Sequence, residues 1–385
     1  MSQRILAKQK SQRVLAKQKN GEKMNMSAVI GLGAVIVLGV VLASCGTGKP
    51  LGGDKPYHHL ENGFRNPPGS MTRYVSVGRR LQFLGQAVWR QVTHSGQPIP
   101  PDHALAREKA KAQLAAIGDA DFVSWIGHAS FLVRLDGVSV LTDPVFGRRA
   151  SPMSFAGPAR LLPPGLFIED LPPIDVVVIS HAHYDHLDVH TLDNLPNREN
   201  ITAIVPLGLG SYFTKRGYGT VREVDWYDDV TLPSRSGEFR LTAYPAVHWS
   251  NRSPFDVNRS LWMSYGFSAG GRSVFHTGDT ETHDTLFSDI GAHMAKNHGG
   301  CDLGLMSIGA YAPRDFMSGA HMDPEGGAAM GRDVGCKRMV PMHWGTFILS
   351  FEPFVEPRDR FVKAAGNQAL VMKIGESLKM DDISN

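Results

Sequence analysis

Four potential metal ligands fall within six positions of this 385-residue chain: His181, His183, Asp185 and His186, in the run Ser180-His181-Ala182-His183-Tyr184-Asp185-His186-Leu187-Asp188. Neutral imidazole nitrogens and carboxylate oxygens suit zinc and similar divalent ions, and no cysteine stands nearby to close a structural thiolate site. The run therefore reads as half of an open, catalytic metal centre. At the His and Asp frequencies of this chain, chance yields H-x-H-x-D-H on the order of one time in a thousand, so the reading depends on further ligands elsewhere.

Three such ligands follow apolar, strand-like runs: His248, Asp279 in His276-Thr277-Gly278-Asp279-Thr280, and His343. His181, His183 and His248 could hold one ion and Asp185, His186 and His343 a second, with Asp279 between them. Two divalent ions, two carboxylates and a bridging hydroxide leave a centre of about +1, which attracts anions and stabilises added negative charge. Paired ions roughly 3.5 to 4 Å apart lower the pKa of a bridging water and clamp attacking and leaving oxygens. The chemistry implied is hydrolysis, with Asp185 and Asp279 in catalytic positions and no Ser or Cys nucleophile in a recognisable elbow. His321, in Ala320-His321-Met322-Asp323-Pro324, is not needed as a ligand and is free to contact substrate or donate a proton, unless it is a simple loop residue. His128 and Asp143 are candidates to orient the imidazoles from behind, or else to shape turns. His190, His283, His293 and His298 are read as background.

The elements that must position these groups are short strands. Runs at Phe122 to Trp125, Phe131 to Leu135 and Val138 to Thr142, the last two joined by Asp136-Gly137, predict hairpins. Further strands are expected at Val176 to Ser180, Ala203 to Pro206, Phe239 to Tyr244, Leu261 to Phe267, Ser273 to His276, Leu303 to Ile308 and Met339 to His343. Helical periodicity appears at Val75 to Val92, Ala104 to Ile117, Gly208 to Arg216, Thr282 to Met294 and Pro324 to Val334. Strands in each half with helices interposed predict an α/β fold, two sheets face to face with helices outside. Residues 102–385 form one catalytic domain, and residues 46–101, rich in Gly and Pro, form a tether and N-terminal wrap.

The N-terminus is different in kind. Residues 1–26 are a basic leader in which SQRILAKQK at 2–10 recurs as SQRVLAKQK at 11–19. Seven basic side chains there face Glu22 alone, which accounts for +6 of the formal +3 and leaves the remainder at −3, so nothing marks the body as a nucleic-acid binder. Residues 27–45 follow as a signal or anchor, apolar from Ser27 to Ala43 and ending in Leu42-Ala43-Ser44-Cys45-Gly46. This ending resembles a bacterial lipobox, with Cys45 as the lipidated residue; the alternative is an uncleaved anchor. Either outcome leaves the basic leader in the cytoplasm and tethers the body to the extracytoplasmic face of a membrane. In that oxidising setting Cys301 and Cys336, each at the start of an expected strand, stand open between a disulfide and two buried free thiols.

The whole set resembles the metallo-β-lactamase fold superfamily and, more narrowly, the N-acylphosphatidylethanolamine phospholipase D family and its bacterial relatives. The resemblance is carried by Trp125-Ile126-Gly127-His128-Ala129-Ser130, Leu141-Thr142-Asp143-Pro144-Val145-Phe146, the ligand run itself, Val205-Pro206-Leu207-Gly208-Leu209, His248-Trp249, Gly278-Asp279-Thr280, Ile308-Gly309-Ala310-Tyr311 and His343-Trp344-Gly345-Thr346-Phe347. It implies a four-layer αββα sandwich with a di-metal site at one edge, two zinc ions on the seven ligands named above, and substrate contacts from Tyr184 and His321. The activity it implies is attack of the bridging hydroxide on a phospholipid phosphodiester, releasing phosphatidic acid and an N-acylethanolamine. Trp249-Ser250-Asn251-Arg252-Ser253 departs from the family in being polar. A lactonase or β-lactamase-like hydrolase, a sugar-phosphate lactone hydrolase and a non-catalytic binding lipoprotein are the alternatives; no ligand is missing, as the last would require.

Overall fold

The computed structural model describes residues 48–383 apart from 52–53, 73–74 and 94–98. The leader, the apolar run and Cys45 lie outside the described residues. Among the described residues no helix is long and apolar enough to cross a membrane.

Two sheets carry the fold. The first has seven strands in the order Ser377–Lys379, Phe122–Gly127, Ser130–Leu135, Val138–Thr142, Val176–Val178, Thr202–Pro206, Thr220–Val224. Its first four strands are antiparallel and pairing turns parallel from Val138–Thr142 onward. The second has six strands in the order Cys336–Met342, Cys301–Ser307, Arg272–His276, Met263–Ala269, Glu238–Pro245, Asp229–Pro233. The hairpin at Asp136-Gly137 forms as expected, with both residues at positive φ (48° and 88°), the backbone that a two-residue turn between right-twisted strands requires.

Side-chain alternation assigns each face. Val123, Trp125, Phe131 and Val133 of the first sheet join Leu241, Phe267, Val274 and Leu303 of the second in one buried core between the sheets. The intervening residues Phe122, Ile126, Leu132 and Val177 point the other way, onto Ile117, Leu192 and Phe213 from helices Arg107–Ile117, Val189–Asn194 and Gly210–Thr214. Helices Leu286–His298 and Pro324–Asp333 cover the outer face of the second sheet. The result is the αββα sandwich in four layers. Burying each large apolar side chain stabilises this arrangement by about 1.5 to 3 kcal/mol, so the two sheets are held mainly by their shared core.

Cys301 and Cys336 are paired in a disulfide. Their strands are parallel neighbours and the two residues lie directly in register, which settles the alternative left open by the sequence. Residues 58–66 run as a strap over the body, with the two-residue strands His59–Leu60 and Gly63–Phe64 forming a hairpin.

Candidate metal centre

All the predicted ligands lie at the C-terminal ends of strands, along one edge of the sandwich. Strand Val176–Val178 stops before Ile179 because the Ser180 N–H turns to donate to Asp143 Oδ1 (2.6 Å). The ligand loop then tightens on the His183 carbonyl, which accepts from the His186 and Leu187 N–H groups. Asp188 ends the loop as N-cap of helix Val189–Asn194, accepting from the His190 N–H. Positive φ recurs around the edge, at His128 (57°), Asp143 (35°), Gly278 (56°) and His343 (64°). Such backbone costs of order 1 to 3 kcal/mol for a residue other than Gly, and it aims consecutive side chains into one small volume.

Asp279 Oδ2 is the meeting point. It stands 3.2 Å from His186 Nε2, 3.1 Å from His343 Nε2, and 3.9 Å from both His181 Nε2 and His248 Nε2. Around it the donors divide into two groups. His181 Nε2 and His248 Nε2 approach His183 Nδ1 to 2.7 and 3.3 Å. Asp185 Oδ2 lies 3.5 Å from His186 Nε2 and 3.2 Å from His343 Nε2. Donors around a tetrahedral zinc at its usual bond lengths stand about 3.3 to 3.5 Å apart, close to these separations.

Hydrogen bonding behind the rings fixes which nitrogens face inward. His248 Nδ1–H donates to the Ala320 carbonyl (2.8 Å) and His186 Nδ1–H to Asp143 Oδ2 (2.7 Å). The Ser180 hydroxyl donates to the same Asp143 oxygen and so accepts from His181 Nδ1–H (2.9 Å). Asp143 thus orients one imidazole in each group. The Nε2 atoms of His181, His186 and His248 are thereby turned toward the Asp279 carboxylate, an arrangement that asks for cations between them. Burial holds His183 and His248 down to about 3, keeping them neutral as ligands must be. Burial also opposes charge on His343, yet Asp279 and Asp185 outweigh it and lift the ring to about 9. In the metal-free chain protons thus supply the positive charge that the two carboxylates demand. The residues fit a pair of divalent ions.

The remaining predicted residues divide. His128 Nε2–H donates to Asp185 Oδ2 (3.0 Å), so it orients that carboxylate while also forming the turn after Phe122–Gly127. His321 Nδ1 lies 3.7 Å from Asp279 Oδ2, with its ring 5.0 Å from that of His248. The Tyr184 hydroxyl donates to the Arg252 carbonyl (2.8 Å), and the Arg252 guanidinium lies over its ring. Tyr184 therefore braces the ligand loop. Sequence reasoning missed Arg252, which also donates to the Ala182 and Leu187 carbonyls, and buried Glu281, which accepts from Arg314 and the Gly319 N–H beside His321. It also missed Asn66, whose place after a Gly-containing stretch carries no local signal of a site.

Residues 139–344 match the model of the beta-lactamase superfamily domain. N-acyl-phosphatidylethanolamine-hydrolyzing phospholipase D 1 of Caenorhabditis elegans is 33% identical over 329 residues, covering 82% of this chain and 90% of that protein. An uncharacterized protein of Mycobacterium tuberculosis is 38% identical over 274 residues, 68% of this chain and 70% of its own. Among solved structures, the isothiocyanate hydrolase from Delia radicum gut bacteria shares the fold at a TM-score of 0.51 and 17% identity, over 67% of this chain and 98% of its own. Matching family model, matching fold and buried His/Asp clusters agree: the chain belongs to the metallo-β-lactamase superfamily, as a metal-dependent hydrolase.

Proposed function

We propose that the protein is a two-metal phosphodiesterase of phospholipase D type, cleaving N-acylphosphatidylethanolamine-like lipids at a membrane surface. One observation carries the two-metal part: a single carboxylate oxygen, Asp279 Oδ2, lies within 3.1 to 3.9 Å of imidazole nitrogens from both donor groups. His181, His183 and His248 would hold one ion, Asp185, His186 and His343 the other, and Asp279 both. The lipid class is supported by the Caenorhabditis elegans relative, whose name gives N-acyl-phosphatidylethanolamine as its substrate.

Divalent ions held by these residues, zinc among those that suit the donors, would supply Lewis acidity and lower the pKa of a water toward neutrality. The chain does the rest. Asp143, Ser180 and the Ala320 carbonyl hold three imidazoles in the neutral tautomer, and His128 holds Asp185. Hydrolysis breaks the bond between phosphorus and the ethanolamine oxygen, and the departing oxygen needs a proton. His321, whose Nδ1 lies 3.7 Å from Asp279 Oδ2, is placed to deliver one from its ring.

The membrane setting follows from the leader, with Cys45 lipidated or the apolar run retained as an anchor. The Cys301–Cys336 disulfide supports an oxidising compartment for the body. The test is a substrate panel on the metal-loaded full chain in mixed micelles, spanning N-acylphosphatidylethanolamine, other phosphodiesters, lactones and β-lactams. Release of phosphatidic acid and N-acylethanolamine, abolished by chelation, is expected. Turnover of a lactone or β-lactam with every phosphodiester left intact refutes the assignment.

A further inference from the structure

We infer that the strap at residues 58–66 positions one of the two metal subsites, that of His181, His183 and His248, and that Asn66 is its positioning residue. This rests on the two-subsite reading above. Asn66 Oδ1 accepts from the His248 backbone N–H (2.9 Å) and from the Trp262 indole N–H (2.9 Å), so one carboxamide oxygen fixes the main chain of a ligand directly. A second path reaches the other two ligands. The Phe64 N–H donates to the Asn258 carbonyl (2.8 Å), and Asn258 in turn accepts from the Ser250 N–H and donates its own N–H to the Ser250 carbonyl. The Ser250 hydroxyl accepts from the Ala182 N–H (3.2 Å), between His181 and His183. Gly63 makes the close approach possible: at φ 143° a Cβ there would stand 2.1 Å from the Asn258 carbonyl oxygen.

The strap is itself anchored. His58 Nε2 and His59 Nε2 meet the two oxygens of Asp225 at 2.5 and 2.7 Å. These three residues have the chemistry of metal ligands, and here they bond one another directly, so that the cluster acts as a clasp. The adjacent Trp226 indole donates to the Trp262 carbonyl (2.8 Å), and the Trp262 indole to Asn66, which closes the circuit from clasp to site. The other subsite is held by Asp143 through His186 and by His128 through Asp185. Asp143 also reaches His181 through Ser180 and so serves both subsites, whereas the strap's hydrogen bonds lead only to His248 and to the backbone between His181 and His183.

The test is competitive zinc titration of the chelator-stripped full chain against a chromophoric chelator. Wild type is expected to take up two equivalents. Asn66→Ala, and Asn66→Gln, which displaces the carboxamide by one methylene, should weaken one equivalent about 10 to 100-fold and leave the other unchanged. Asn66→Asp, which keeps the acceptor oxygen, should restore it, a rescue that a merely space-filling residue would not show. Should Asn66→Ala fail to fold, Asn66→Gln carries the same expectation. Unchanged affinities in the folded variants, equal weakening of both equivalents, or failure of Asn66→Asp to restore binding overturns the inference. A wild-type chain that binds no metal overturns the two-subsite reading along with it.

Discussion

Asp279 differs from the other ligands in that its Oδ2 faces imidazoles of both groups, so its removal should be felt by both ions. Asp279→Ala is expected to lower metal content below one ion per chain and turnover by on the order of 10³-fold, the several kcal/mol that metal-borne charge stabilisation supplies. Elemental analysis of the purified variant beside its initial rates checks this; two retained ions with near-normal rates would contradict the bridging role. Asp143 acts one step behind, through His186 and through Ser180 to His181. Asp143→Ala should therefore weaken zinc about 10 to 100-fold without removing any ligand. The ligands were legible in sequence because few side chains can hold a divalent ion and four of them crowd one loop. The occupation of Tyr184 by Arg252, and the part played by Asn66, were not legible, because each depends on a partner more than 60 residues away.

Strands with strong apolar alternation were read close to their true bounds, and so was the Asp136-Gly137 turn, because both signals are local. The edge strands Thr220–Val224 and Asp229–Pro233 were missed: each is five residues long and largely exposed, with only two apolar side chains turned to the core, and takes its place by backbone pairing. Strand Ser377–Lys379 is only three residues long and takes its identity from pairing with Phe122–Gly127. Strand order is equally invisible locally, and it alone brings Cys301 beside Cys336. Their bond closes a loop across a sequence separation of 35 at the edge of the second sheet. Replacing both cysteines by alanine should cost about 2 to 4 kcal/mol in denaturant unfolding while leaving kcat unchanged. A loss of activity in the still-folded variant would mean that the bond also shapes the site.

For the molecule as a whole, the sandwich and its catalytic edge were legible as soon as the ligands were seen to end strands in both halves. The strap's one-sided hold on the subsite of His181, His183 and His248 was not. Stability should also depend on pH away from the metals. His298, buried between the Thr242 and Ser268 hydroxyls, has its pKa lowered to about 4 by that burial. The unfolded chain, with an ordinary histidine near 6.5, binds more protons between those values, so stability is full above about pH 6.5 and falls as pH drops toward 4. Across that window the loss due to His298 should approach about 2 to 3 kcal/mol, and His298→Gln should lessen the fall in stability of the metal-loaded protein by about that amount in thermal melts. The central claim concerns the edge where the two sheets meet. Anomalous diffraction at the zinc edge on crystals of the zinc-loaded chain tests it most directly. Two peaks are predicted, one within His181, His183 and His248 and one within Asp185, His186 and His343, with Asp279 touching both; a single peak, or none at this edge, would contradict it.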